Sequence, residues 1–206
     1  MTAILDYGVG NLFSLKSSFE FIGEKVIVTN DPEEIRKADR LILPGVGAFK
    51  DAALKLYNSG IAEIIREEVA KGKPLLGICL GMQLLFDKSY EYGEHEGLGL
   101  IKGNIKPIAP LVTSDYKIPH IGWNRLHMVG EKNELFKYIN DGDHVYFVHS
   151  FFADDCKDAV IADTEYGAVL TAAVASGNVY GCQFHPEKSS DVGLNILKAF
   201  VELGEK

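Results

Sequence analysis

Cys79 stands midway between Gly77 and Gly81 in GICLGMQLLF (77–86), after the apolar run PLLGI and before a helix-forming stretch. A cysteine so placed is either a small buried hydrophobe or a nucleophile held on a sharp turn. The spacing is that of the G-x-S-x-G elbow with sulfur in place of oxygen, in which flanking glycines relieve crowding and the nucleophile stands at the C-terminal end of a sheet. A helix beginning there adds free N–H groups, which favour thiolate over thiol. Cys156 and Cys182 sit in no such turn and read as inert core residues. A nucleophile needs a base, and the base an orienter. GCQFHPEKSS (181–190) offers both, with His185 and Glu187 two apart at the end of a strand-like run. The carboxylate can hold the imidazole tautomer and favour the imidazolium that forms during proton transfer.

Elements that could deliver these residues are readable from periodicity. TAILDY, KVIVTN, RLILPG and PLLGI read as four strands, the last too uniformly apolar for an exposed sheet. Between them lie helical patterns. Leu12, Leu15, Phe19 and Ile22 follow Asn11 as N-cap, and a short helix follows Asp31 as cap with Pro32 in its first turn. Two more run from Phe49 to Tyr57 and from Ile61 to Val69, with Ile61, Ile64, Ile65 and Val69 on one face. Alternation of this kind predicts an α/β fold: a mostly parallel central sheet flanked by helices. From Gly97 onward, short runs broken by Gly, Pro and Asn (GLGLIKGNIKPI, HVYFVHSFFA, AVLTAAVASGNVYGCQFH) predict an antiparallel extension. SSDVGLNILKAFVELGEK closes the chain as an amphipathic helix with Leu194, Leu197 and Val201 on its stripe.

Composition narrows the class. A chain of 206 residues is a plausible single domain that buries roughly 70% of its unfolded surface. Three widely spaced cysteines without a CxxC pair argue against a disulfide framework or a zinc site and fit a reducing cytoplasm. A formal net charge of −8 excludes a diffuse basic footprint for nucleic acid. No run of 18 apolar residues and no basic leader appear, so neither secretion nor membrane insertion is expected. His95, His120, His127 and His144 show no ligand spacing and read as surface residues; no cofactor is implied.

GICLGMQLLF with FHPEKS resembles the class I glutamine amidotransferase signature. DYGVGNLFSL (6–15), LPGVGAF (43–49), IPHIGWN (118–124) and YFVHSF (146–151) extend the likeness over essentially the whole chain. They make it similar to the glutaminase-subunit branch that serves imidazole glycerol phosphate synthase in histidine biosynthesis. The triad motifs specify the class; PGVG, PHIGWN and PEKSS point to the branch. The resemblance implies a flavodoxin-like fold and hydrolysis of L-glutamine by Cys79, His185 and Glu187. It implies an oxyanion hole from the backbone of Leu80 with Gly47 or Val46, a peptide flip in the turn being sterically cheap. It implies substrate contacts from Gln83, Gly45, His149, Ser150 and Phe151. The partner it implies is a (β/α)8 cyclase subunit, forming a heterodimer near Asn11, Trp123 and Lys188. Another class I amidotransferase subunit, or a stand-alone thiol hydrolase of γ-glutamyl compounds, shares the triad and remains open at this point.

Overall fold

A computed structural model describes residues 1–203 of the chain. Its first half alternates strands and helices: β1 (Thr2–Leu5), α1 (Leu12–Phe21), β2 (Val26–Thr29), α2 (Pro32–Lys37), β3 (Arg40–Leu43), α3 (Phe49–Asn58), α4 (Ile61–Ala70) and β4 (Leu75–Ile78). The helix starts follow their sequence signals. Asn11 Oδ1 accepts from Ser14 N, and Asp31 Oδ1 accepts from the N–H groups of Glu33 and Glu34. In α2, acidic residues fill the first turn and Arg36 and Lys37 the last, as the helix dipole favours.

The second half is mostly strand: α5 (Leu80–Gln83), β5 (Phe86–Ser89), β6 (His95–Glu96), β7 (Ile101–Pro107), β8 (His120–Arg125), β9 (His127–Met128), β10 (His144–His149), β11 (Phe151–Asp154), β12 (Val160–Glu165), β13 (Val169–Ser176), β14 (Val179–Cys182) and α6 (Ser190–Glu202). The main sheet has the order β2-β1-β3-β4-β14-β13-β12-β9. Its pairs are parallel from β2 through β14 and antiparallel beyond, which meets the expectation of a parallel sheet with an antiparallel extension. β10 pairs with β8 in a ribbon, and β11-β7-β5-β6 form a small third sheet.

Both faces of the parallel region are covered. Ala3, Leu5, Leu41, Leu43 and Leu75 pack with residues of α2, α3 and α4, whereas Ile4, Ile42, Leu76 and Ile78 pack with α1 and α6. Burial on both faces is why these strands read as continuous apolar runs.

Two expectations need correcting. The helix after Cys79 is a single turn, because the chain leaves it to form β5: the carbonyls of Leu84, Leu85 and Phe86 accept from Leu98, Leu100, Ile101 and Gly99 of the following segment. The buried stripe of α6 is Gly193, Ile196, Leu197 and Phe200; Leu194 and Val201 are only partly buried. The helix packs through Gly193, where a Cβ would lie 1.9 Å from Pro186 O. Among the described residues, no helix is long and apolar enough to cross a membrane.

Candidate active site

Three neighbouring strands, β3, β4 and β14, run parallel and end at the same edge of the sheet. They release, side by side, the turn 44–47, Cys79 and the segment leading to His185. This is the carboxyl edge where open α/β sheets assemble sites.

Cys79 follows β4 directly and adopts φ 55, ψ −113, a conformation rare for a side-chain-bearing residue. Its N–H is tied to Cys182 O at 2.7 Å, which fixes the turn to β14. The glycines on either side are required by contact: a Cβ on Gly77 would meet Gly81 O at 2.7 Å, and one on Gly81 would meet Leu43 O at 1.9 Å. Cys79 Sγ has Val148 O at 4.0 Å and Gln183 Nε2 at 3.9 Å. With only one helical turn behind it, Cys79 gains from the local N–H groups at the head of α5 more than from a long macrodipole. The Leu80 N–H is one of these and donates to no other group among the described residues.

His185 and Glu187 are held on a short 3-10 turn (Pro186–Lys188). His185 N donates to Tyr146 O, and Ser189 Oγ donates to His185 O while accepting from Tyr146 N, so the turn is bolted to β10. His185 Nδ1 lies 2.7 Å from Glu187 Oε1, with side-chain exposures of 3% and 1%. Burial alone would lower the pKa of His185, but its hydrogen bonds to Cys79 and Glu187, and their charges, outweigh that and raise it to about 10. His185 is therefore held as an imidazolium beside the Cys79 sulfur. Cys182, fully enclosed, and Cys156, also buried, have thiols pushed upward by desolvation, which fits their reading as inert.

A cleft of about 340 Å³ opens on this pair. Its walls include Val46, Gly47, Leu80, Gln83, His149, Ser150 and Phe151, all singled out from the sequence, together with Cys79 and His185. Glu187 stands behind His185, outside the wall, and Gly45 packs beneath it against Leu80 and Gly81. Gln83 is buried and donates to Phe151 O at 3.2 Å and to Gln183 Oε1 at 3.0 Å. Both its N–H groups are thus engaged, which leaves its carbonyl oxygen for a ligand. Phe151 O is open to such contacts because its opposite residue on β7 is Pro107, which has no N–H.

Three contributors escaped the sequence reading. Glu91, in the loop between β5 and β6, is the cleft's one carboxylate among the described residues and accepts from Phe49 N at 2.6 Å. Gln183 reaches the sulfur. His120, expected on the surface, is buried between Phe147 and Tyr166, with its Nδ1 3.0 Å from His149 Nε2; His149 Nδ1 in turn faces Phe151 O at 2.8 Å. Burial lowers these histidines to about 4 and about 3, so both are neutral. Their spacing in sequence gives no sign of the pairing, which arises from β8 and β10 lying side by side.

Glutamine amidotransferase class-I, as a family, matches residues 3–203. The chain belongs to that family. It is 50% identical to imidazole glycerol phosphate synthase subunit HisH of Lactococcus lactis subsp. lactis (strain IL1403), over 97% of this chain and 96% of that one. It is 48% identical to the subunit of the same name from Geobacillus sp. (strain WCH70), over 100% and 98%. In fold it resembles a solved glutamine amidotransferase (TM-score 0.77, 21% identity, 98% of each chain) and PurLQS from Thermotoga maritima (TM-score 0.72, 21% identity, 97% of this chain and 96% of that one).

The amidotransferase cleft borders an exposed apolar face. On the ribbon, Trp123 lies opposite Tyr146 and Ile121 opposite Val148, the latter a wall of the cleft. Trp123 is 48% exposed and Ile121 56%. The Trp123 ring meets Tyr146 edge-on at 6.1 Å, and Lys188 Nζ sits 5.9 Å from the centre of the same tyrosine ring. Asn11 is occupied as the cap of α1.

Proposed function

We propose that the chain is the glutaminase subunit of an imidazole glycerol phosphate synthase, acting as one amidotransferase domain in the cytoplasm. It would hydrolyse L-glutamine and pass the ammonia to a (β/α)8 cyclase subunit bound as a heterodimer. The observation that carries the hydrolytic part is the strained Cys79 in a cleft shared with His185, itself backed by Glu187 at 2.7 Å. Full-length likeness to the two HisH subunits supports the partner and the pathway.

Cys79 thiolate attacks the carboxamide carbon of glutamine, and the carbonyl electrons move to oxygen. The Leu80 N–H and an N–H of Val46 or Gly47 receive that oxyanion; loss of one such donor typically costs about 100-fold in rate. Collapse expels ammonia with the proton of His185, leaving a γ-glutamyl thioester. His185 then takes a proton from water, the hydroxide releases glutamate, and the thiolate returns. Glu187 keeps the imidazole oriented throughout. At the amino-acid end, Glu91 faces the ammonium group and the main chain of His149, Ser150 and Phe151 lies beside the carboxylate. Gln83 and Gly45 support the substrate from the α5 side.

Partner docking fits the face formed by Trp123, Tyr146, Ile121 and Lys188, since exposed aromatic and apolar side chains beside a site are what interface centres are made of. Ammonia is mostly protonated in water, so its release next to a second active site preserves it as a nucleophile. The test is glutamate release from glutamine by the chain alone, then with the cyclase subunit and its nucleotide ligand. Strong activation by that subunit, abolished in Cys79→Ala with complex formation intact, is the expected result. High turnover indifferent to the cyclase would instead favour a stand-alone hydrolase, and residual turnover in Cys79→Ala would remove Cys79 as nucleophile.

A further inference from the structure

The turn that follows β3 carries two candidate oxyanion donors, yet its middle is free of restraint. Val46 is exposed, Gly47 has φ +91, and a Cβ built on Gly47 meets nothing within 4 Å. Neither the Val46 nor the Gly47 N–H donates to another group among the described residues. Such a turn can present its donors in one direction only if its ends are fixed.

The far end is fixed by Glu91, which accepts from Phe49 N at the head of α3. The near end is Pro44. There the buried Tyr7 hydroxyl donates to Pro44 O at 2.6 Å. Two backbones close in on the same residue: a Cβ on Gly10 would lie 2.8 Å from Pro44 Cβ, and one on Gly81 would lie 3.1 Å from Pro44 C.

We propose that Tyr7 is a positioning residue for glutamine hydrolysis: its hydroxyl fixes the Pro44–Gly45 peptide plane and so sets where the oxyanion turn begins. The peptide unit is planar, with C=O and N–H on opposite sides, so holding Pro44 O also fixes the direction of the Gly45 N–H. Rotation is then confined to the two peptides beyond, those that contain the Val46 and Gly47 donors. Burial, followed by the nearby charge of Cys79, raises the pKa of Tyr7, so the phenol stays a donor while the thiolate is present. The ring belongs to the apolar cluster that also holds Leu5, Leu43 and Leu80, and phenylalanine would keep its place there.

The inference rests on the glutaminase reading, and its test separates the two. Tyr7→Phe is compared with wild type, each as the full chain bound to the cyclase subunit, by glutamine kcat and KM and by the rate at which iodoacetamide alkylates Cys79. Alkylation is a displacement at saturated carbon: it needs the thiolate but no oxyanion hole. The expected result is a fall in kcat of roughly tenfold to 100-fold with KM and alkylation unchanged. An unchanged kcat, or kcat and alkylation falling together, overturns the proposal. Hydrogen exchange of residues 44–48 gives a readout independent of turnover. Faster exchange in Tyr7→Phe with the same melting temperature supports the tether, and identical exchange counts against it. Were wild type itself inert on glutamine, the glutaminase reading would fall, and this exchange comparison would still judge the tether.

Discussion

At the scale of single residues, the site divides its charges by burial and contact. Among the described residues Glu91 is the one carboxylate on the cleft wall, and in the proposed reading it meets the ammonium group of glutamine. Glu91→Gln should therefore raise KM for glutamine about tenfold or more while changing kcat less, since the lost attraction is present in ground and transition states alike; initial rates over a range of glutamine concentrations check it. The same carboxylate holds Phe49 N, so a fall confined to kcat would show that this brace outweighs the charge. The histidines carry opposite signs. His149 and His120 are lowered to about 3 and about 4, so the unfolded chain binds the protons and their contribution is complete above about pH 6.5. It is lost as pH falls toward 4, with a slope of about 1.4 kcal/mol per unit for each. His185, raised to about 10, contributes fully below about pH 6.5 and loses its contribution as pH rises through 10. Urea midpoints should accordingly drop between pH 6.5 and 4.5, above the range where most carboxylates titrate; a flat profile there would mean that the buried pair accepts protons freely.

At the scale of elements, the elbow depends on close approach of backbone to backbone. A methyl group at residue 81 would lie 1.9 Å from Leu43 O, pushing α5 away from β3. Gly81→Ala should lower stability by about 3 kcal/mol and abolish glutamine turnover. Gly177→Ala, in the hairpin between β13 and β14 with φ +58 and no neighbour within 4 Å of a built Cβ, should cost about 1 kcal/mol and leave turnover alone. Denaturant midpoints of the two variants separate crowding from backbone conformation. The same contrast explains what could be read in the sequence. Asp31 with Pro32, the apolar run of β4 and the glycines around Cys79 announce themselves because their causes are local. The end of α5 does not, since it is set by carbonyls bonding to residues 98–101. Nor does the packing stripe of α6, whose closest contact is made by Gly193, a residue without a side chain to register in a hydrophobic pattern. Gln183 and the His120–His149 pair come together through pairing of strands distant in sequence, and Glu91 is held by its contact with Phe49 N, so motif spacing passes over them.

At the scale of the whole molecule, three adjacent parallel strands bring the turn 44–47, Cys79 and His185 to one edge, where the proposed chemistry needs them, and the β8–β10 ribbon lays an apolar face beside it. DYGVGN, LPGVGAF, GICLG and FHPEKS lie at or just past the ends of β1, β3, β4 and β14, and IPHIGWN and YFVHSF build the β8–β10 ribbon, so the short motifs that carry the resemblance fall around this edge. Trp123, the chain's single tryptophan, stands on that ribbon, half exposed beside Tyr146 and Lys188. An indole in this setting emits at long wavelength while water relaxes around its excited state, and covering it removes the relaxation. Titration with the cyclase subunit should therefore shift the emission to the blue in wild type and not in Trp123→Phe. On the proposed docking face this indole is a built-in optical probe, through which assembly with the cyclase would be followed in real time without any attached dye.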